Sequence, residues 1–324
     1  MTPGASAALL AATVGATACT SFDPAAWHAS QSTSAAATTT RDPVGFGGQG
    51  GAALSPLEYC GDCALSGAQP LQQQSLVEAS GMAASRVHEG VFYLHNDSGN
   101  TAHVFAVKGD GATVGVFALA AANIDWEDIA VGPCPSGHCI FVADIGDNDA
   151  VRSDCALYRA PEPATLGKAD LAPEAFPFTY EDGPHNAETL LVHPITGEIV
   201  VVTKVKAGPS AHYRAPSAWS AGEAAVFTRQ GEIPLLAGSP RITGGSVHPA
   251  GLGVLLRTYT HLHYFAASAP DAPLGETLSH APCPLPVAEE AQGEAVSWTA
   301  TGDGYLTLSE GPSPIVHHAS CHAQ

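Results

Sequence analysis

Two short stretches of the chain concentrate carboxylates: Asp125-Trp126-Glu127-Asp128 and Asp144-Ile145-Gly146-Asp147-Asn148-Asp149. Clustered Asp, Glu and Asn oxygens suit a hard cation such as calcium, which takes several oxygen ligands at about 2.3–2.6 Å. Neither stretch has EF-hand spacing. Glu188 and Glu294 sit in comparable short motifs, NAETLL and QGEAVSW, and two cations, Lys204 and Arg257, follow apolar runs further along. Three chemistries fit these residues. In the first, Glu127, Asp128, Asp144, Glu188 and Glu294 hold a metal, and Asp97, Asn148, Lys204, Arg257, Tyr259 and Glu310 contact a ligand. In the second the site is catalytic, with Glu188, Lys204 and Arg257 as candidates: a carboxylate acts as base, and the cations stabilise a developing anion. In the third the carboxylates pair with Lys204 and Arg257 and serve only the fold, because buried charges need partners.

Other constellations carry less. His261-x-His263 and the C-terminal His317, His318 and His322 offer imidazoles for zinc, yet histidine at strand edges is usually an ordinary surface or core residue. Cys60-x-x-Cys63 is half of a zinc or redox motif with no second half in the chain. No G-x-S-x-G elbow, H-E-x-x-H helix or phosphate-binding glycine loop occurs. Trp126, Trp298 and Tyr259 offer stacking surfaces, although aromatic residues on inner strands are mostly core. Asp182-Gly183 and Asp303-Gly304 read as plain turns.

The elements that would position these residues repeat. Five segments share one order of small or acidic motif, apolar strand, turn, second strand, polar motif and third strand. They begin at SGMAAS (80–85), WEDIAVG (126–132), AETLLVHP (187–194), GGSVHPAG (244–251) and GEAVSWTA (293–300). Further strands lie between them at VGVFAL (114–119), AFPFTY (175–180) and AAVFTR (224–229). The strands are short, β-branched or aromatic, and bounded by Gly, Pro, Asn and Asp. Such a period predicts an all-β fold, a β-propeller of five blades of four antiparallel strands, with six as the alternative. Residues 57–77 are expected to supply the outer strand of the last blade and close the ring, bringing Cys60 or Cys63 near Cys321. A propeller sends the loop before each innermost strand and the loop after each second strand to one face. Asn123, Asp125, Glu127, Asp128, Asn186, Glu188, Thr243 and Glu294 would then meet His95, Asn96, Asp97, Asp144, Asp147, Asn148, Lys204, Lys206, Arg257, Tyr259 and Glu310 around a channel mouth.

Composition bounds the partners. The 324 residues carry 31 acidic and 12 basic side chains, a net charge of −19, which argues against nucleic acid because phosphates are bound by clustered Lys and Arg. Apolar residues make up 45 %, enough for a sizeable core, and the 34 Gly and 25 Pro point to many turns. No run reaches the roughly 18 apolar residues of a membrane span. Residues 5–18 (ASAALLAATVGATA) form a short apolar run ending in small residues, and Ala16-Thr17-Ala18-Cys19 resembles a bacterial lipobox. The expectation is therefore a signal peptide over 1–19 with Cys19 lipidated, a Ser/Thr/Ala/Gly-rich tether over 20–56, and the propeller domain over 57–324. Eight cysteines fit an oxidising compartment, and Cys134 and Cys139 would pin a hairpin. Setting Cys19 aside leaves seven, an odd number.

The motifs SGMAAS, DWEDIA, NAETLL and QGEAVSW resemble the blade openings of secreted propellers in the broad phytase-like, gluconolactonase-like and NHL-type group, over about residues 76–320. The resemblance implies calcium at the channel mouth held by Glu127, Glu188 and Glu294, and for some members hydrolysis of phosphoesters or lactones. The fourth segment departs from it with Gly245 and Ser246, and the first has Ser80-Gly81 preceded by Glu78. The expected protein is exported to the bacterial cell envelope or secreted, and touches membrane only through its lipid. It binds an extracellular small molecule or protein at an acidic mouth. A metal-dependent hydrolase and a metal-free interaction scaffold are the alternatives.

Overall fold

The computed structural model describes residues 58–135, 137–236 and 238–321. Cys19, the apolar N-terminal run, the whole expected tether over 20–56 and His322 lie outside the described residues. A short 3₁₀ turn (Glu58–Cys60) leads into β1 (Cys63–Pro70), and five strand groups follow. The first is β2 (Ala79–Ala84), β3 (Val91–Asn96), β4 (His103–Lys108) and β5 (Thr113–Leu119). The second is β6 (Trp126–Cys134), β7 (Gly137–Asp144), β8 (Cys155–Pro161), β9 (Lys168–Leu171) and β10 (Glu174–Tyr180). The third is β11 (Ala187–Val192), β12 (Ile199–Thr203), β13 (Ala211–Arg214) and β14 (Ala225–Glu232). The fourth is β15 (Ile242–Val247), β16 (Gly253–Thr258), β17 (Leu262–Ala266), helix α1 (Leu274–Ser279) and β18 (Cys283–Leu285). The fifth is β19 (Gly293–Trp298), β20 (Gly304–Ser309) and β21 (Ile315–Cys321).

The chain is all-β, and its strands assemble into four sheets rather than five separate ones. Two are four-stranded, β15-β16-β17-β18 and β19-β20-β21-β1, the latter completed by antiparallel pairing of β1 with β21. The first group gains a fifth strand because β9, from the β8–β10 connection, crosses over and pairs parallel with β5. The second and third groups share one eight-stranded sheet, β6-β7-β8-β10-β14-β13-β12-β11, through parallel pairing of β10 with β14. The physical reason is the edge: an outermost strand presents unpaired N–H and C=O groups, and pairing satisfies them.

Residue patterns follow position. Every residue of β2, β3, β11, β16 and β19 is buried, whereas the outer β5 alternates between buried and half-buried positions. The sheets stack on both faces, which removes the polar face of an ordinary antiparallel strand. Five apolar clusters result, each filling the space between neighbouring groups. The innermost strands β2, β6, β11, β15 and β19 touch in sequence, and β19 returns to β2. Truncating a ring such as Phe227, fully buried between the second and third groups, is expected to destabilise by about 3–5 kcal/mol.

Disulfides secure the ends. Cys63–Cys321 joins β1 to β21, Cys60–Cys283 ties the N-terminal turn to β18, and Cys134–Cys139 spans the β6–β7 hairpin. Among the described residues Cys155 is the free cysteine, and it is buried. Three bridges fit an oxidising, extracytoplasmic environment. No helix among the described residues is long and apolar enough to cross a membrane.

Candidate functional site

One local irregularity recurs in all five groups. Each pairing of an innermost strand with its neighbour slips register near its start, at Ala79/Met82, Trp126/Asp128, Ala187/Thr189, Ile242/Gly244 and Gly293/Ala295. A bulge re-aims the extra side chain. In three groups that residue is Glu127, Glu188 or Glu294, all at most 5 % exposed. In the other two it is a hydroxyl: Ser80 Oγ donates to Glu127 O at 2.6 Å, and Thr243 Oγ1 donates to Gly293 O at 2.8 Å. Two bulges therefore stitch neighbouring inner strands, and three present carboxylates.

Glu127 has company from the flanking loops. Asp97, just after β3, and Asp125, just before β6, each bring a carboxylate oxygen so that these and one of Glu127 all lie within 4.8 Å of one another. The loops are held. Asn123 donates to Asp97 O at 2.9 Å and accepts from Trp126 N at 3.2 Å. Asp144 accepts from Ile124 N (3.2 Å) and Asp125 N (3.1 Å). Arg152 reaches Asp144 Oδ1 with Nη2 and Gly146 O with Nη1, both at 2.8 Å. Gly146 must lack a side chain, because a Cβ there would lie 2.2 Å from Glu127 Oε1 and 2.4 Å from Asp125 Oδ2.

On the other side of this acidic cluster, here called the mouth, Lys204 pairs with Glu188. Its Nζ stands 5.0 Å from the centroid of Tyr259, and Arg241 approaches the same ring at 5.9 Å. Glu294 Oε1 accepts from Gln292 Nε2 at 3.2 Å, while its Oε2 is buried with no hydrogen-bond partner among the described residues. Gln292 also bonds Glu310. Beside Lys204 opens a cavity of about 580 Å³ lined by Asn148, Asn186, Lys206, Arg241 and Tyr259 among others.

Burial and mutual repulsion shift the titration of these acids. Burial lifts Asp97 to about 6, with Asp125, Glu310 and Glu78 adding to it. Burial lifts Glu188 to about 7 against the opposing pull of Lys204. Glu294 rises to about 8 through burial, opposed by Lys204 and reinforced by Glu188. Burial, then Glu188, Asp97 and Asp125, hold Glu127 well above the usual carboxylate range. Burial acts against the Lys204 ammonium, but Glu188 and Glu294 outweigh it and raise its pKa. Such acids gain from a multivalent cation, which replaces the protons they otherwise retain.

The site differs in membership from the sequence expectation. Of the five expected metal ligands, Glu127, Glu188 and Glu294 face the mouth. Asp128 does not: its carboxylate accepts from Ile129 N and Leu190 N, both at 2.8 Å, and fastens β6 to β11. Asp144 holds the Asp125 loop directly, through the N–H groups of Ile124 and Asp125, and is itself braced by Arg152, so it positions ligands rather than supplying one. Among the expected ligand contacts, Asp97 joins the acidic trio, Glu310 lies near it, and Asn148, Lys204 and Tyr259 line the adjoining cavity. Arg257 is covered, packed under the β19 bulge at Gly293. It is 1 % exposed, pairs with Glu290 and donates to Ala295 O at 3.2 Å, so no anion reaches it and the catalytic reading loses this cation. Asp125, Arg152, Arg241, Glu290 and Gln292 complete the picture. The sequence already placed Asp125 at the expected mouth, though not among the metal ligands, and it is the loop before β6 that brings it beside Glu127.

His261 and His263 lie 6.1 Å apart, with His263 buried and no carboxylate within 4 Å of either among the described residues. Cys60 and Cys63 are both in disulfides, which ends the half-site reading. Trp126 and Trp298 are buried core rings. Comparison with protein-family models and with curated protein sequences finds no match. The roles of these side chains therefore rest on their geometry and chemistry.

Proposed function

We propose that this chain is an exported five-bladed β-propeller that binds a divalent cation, calcium by the chemistry of its donors, at an acidic channel mouth and recognises an extracellular ligand there. The observation that carries the reading is the trio Asp97, Asp125 and Glu127, with an oxygen of each within 4.8 Å of the others. Three tests of fit support it. The donor set is all oxygen, as a hard cation requires. Glu294 Oε2 is buried without a partner. A glycine stands where any side chain would collide with the trio. The propeller assignment draws on the cyclic contact of five innermost strands and on the repeated bulge. The merged eight-stranded sheet would be two blades whose outer strands have paired. Anchoring through Cys19 is part of the proposal and draws on the lipobox-like sequence alone.

The deciding experiment is thermal unfolding of the full chain with calcium and with chelator, together with elemental analysis. A calcium-dependent rise in midpoint with near-stoichiometric metal, lost in Asp125→Asn, supports the reading. No shift and no metal in the parent protein sinks it and leaves an interaction scaffold.

A second reading, hydrolysis of a phosphoester or lactone, is favoured by the cavity beside the acids. Lys206 and Arg241 line it with no carboxylate within 4 Å among the described residues, and Lys204 connects it to Glu188. In that scheme the mouth carboxylates would hold a metal that supplies an activated water, one of those carboxylates would take the proton, and Lys206 and Arg241 would bind the anionic group. Calcium-dependent turnover of p-nitrophenyl phosphate or of an aryl lactone, abolished in Arg241→Ala, is the corresponding test.

A further inference from the structure

The eight-stranded sheet of the second and third groups has a property the other sheets lack. Its outer seam is sealed by the parallel β10–β14 pairing, with Phe178 stacked on Phe227 at 4.0 Å, while its end strands β6 and β11 lie against one another. The sheet thus wraps back on itself around an apolar interior. An eight-stranded wrap is just wide enough to be filled by side chains or to hold one small ligand. Here the interior is packed at the middle and open at one end. A cavity of about 500 Å³ lies there, walled by Phe141, Leu157, Phe176, Ile199 and Trp219. Trp219 stands edge-on to Phe176 at 5.1 Å and to Phe227 at 5.3 Å, which fixes one wall.

We infer that this cavity is a second binding site, for a small molecule with an aromatic or aliphatic body and one anionic head. The volume falls in the range of small-molecule pockets, which are chiefly apolar with a few placed polar groups and favour the mouths of β-barrels. Arginines at the rim supply the head group's partner. Arg214 is exposed and, although its charge acts on Glu198 across the opening, it has no carboxylate within 4 Å among the described residues. Arg159 lies 4.6 Å above the Phe176 ring and is anchored by Glu174 at 2.6 Å. Of the two acids that line the opening, Glu198 is engaged by the N–H of Leu274 at 2.8 Å, and Asp271 is exposed at the rim. The site is separate from the acidic mouth: Glu127 and Pro133 lie near opposite ends of β6, on the order of 20 Å apart at strand rise. It needs no metal and does not depend on the function proposed above.

The test uses 8-anilinonaphthalene-1-sulfonate and the uncharged N-phenyl-1-naphthylamine on the full chain, with chelator present and in the Arg241→Ala background, so that neither metal nor the cation-lined cavity beside the mouth contributes. The expected result is saturable one-site binding of the sulfonate with quenching of tryptophan emission. Arg214→Gln should weaken the sulfonate about tenfold and leave the uncharged probe within twofold. Trp219→Phe should preserve binding while removing most of the quenching. Non-saturable binding overturns the inference. So do a sulfonate affinity unchanged in Arg214→Gln and a quenching amplitude unchanged in Trp219→Phe. Both variants are read against their own unfolding midpoints, so that loss of fold is not mistaken for loss of the site.

Discussion

The acidic mouth and the region where the two chain ends meet are built on opposite principles. At the closure, Cys63–Cys321 and Cys60–Cys283 bracket an aromatic cluster in which Tyr59, Tyr264, Trp298 and Tyr305 pack at ring separations of 5.1 to 5.9 Å. Its hydroxyls are satisfied: Tyr59 Oη bonds both His248 Nε2 and Gly302 O, Tyr264 Oη donates to Leu252 O and Tyr305 Oη to Pro286 O, which leaves the neutral Trp298 Nε1 as the cluster's one unpartnered polar atom among the described residues. At the mouth, Glu127, Glu188 and Glu294 are buried in mutual repulsion, and one oxygen has no partner. The closure lowers the free energy of the folded chain, and the mouth raises it at neutral pH. A buried acidic cluster that works against the fold is the electrostatic cost expected of the cation-binding role proposed above. Stability and proposed function are thus assigned to different parts of the molecule.

That contrast can be broken in several ways. The largest effect is expected from the closure. Replacing Cys63 and Cys321 by Ser frees the segment that follows Cys283, the Cys60–Cys283 bridge still closing the rest, and should destabilise by about 3–5 kcal/mol, read from denaturant unfolding, with calcium affinity unchanged. Arg257→Gln should be comparable, about 3–5 kcal/mol, because it leaves Glu290 buried without its partner. It should not alter metal binding. If it does, Arg257 belongs to the site after all.

A smaller effect of opposite sign is expected at the mouth. Glu294→Gln removes a charge that burial and Glu188 already oppose, so the chelated protein should gain roughly 1–3 kcal/mol near pH 8. The same change should weaken calcium binding at least tenfold. A stable variant with undiminished affinity would remove Glu294 from the ligand set.

The pH dependence separates the regions further. Carboxylates raised in the folded state contribute stability that is fully present below their unfolded pKa, near 4 to 4.5. That contribution fades as pH rises through about 6 for Asp97, 7 for Glu188 and 8 for Glu294. Burial instead depresses His95, His193, His212, His248 and His263 to about 4. Their contribution is full above 6.5 and is lost as pH falls toward 4. Chelated protein should therefore be most stable near pH 6, and calcium should move that optimum upward. Calcium affinity itself should climb between pH 5 and 8 as the mouth loses its protons. A midpoint curve that calcium merely lifts, without moving its maximum, would detach the raised carboxylates from the metal. The smallest effect is expected from Lys206→Ala, within about 0.5 kcal/mol in stability, with any loss confined to an anionic ligand.

Much of the architecture was legible along the chain. Runs such as VFYLHN and GVLLRT, bounded by turn residues, became the fully buried β3 and β16, and VGVFAL became the outer β5. The edge pairings were not legible. β9 and the β10–β14 seam join strands distant in sequence through backbone groups, which carry no residue code. In the site, Glu127, Glu188 and Glu294 could be found because the repeat places them at equivalent positions. Asp128 and Asp144 misled because an acid that binds backbone amides and one that binds a metal look identical in sequence.

The sequence by itself determined the element type, the five-fold order of strands and the oxidising chemistry of the cysteines, because these depend on local pattern and on counting. Only the tertiary structure decided which acids meet. The five register slips turn one side chain per group, and the neighbouring chain then decides whether it finds a backbone amide, an arginine or another carboxylate. Arg257 is the clearest case. Its position in the repeat matches that of Lys204, yet a loop glutamate, Glu290, folds over it and removes it from the mouth. Charges act through space, over a few ångströms and in proportion to burial, and that distance is set by the fold.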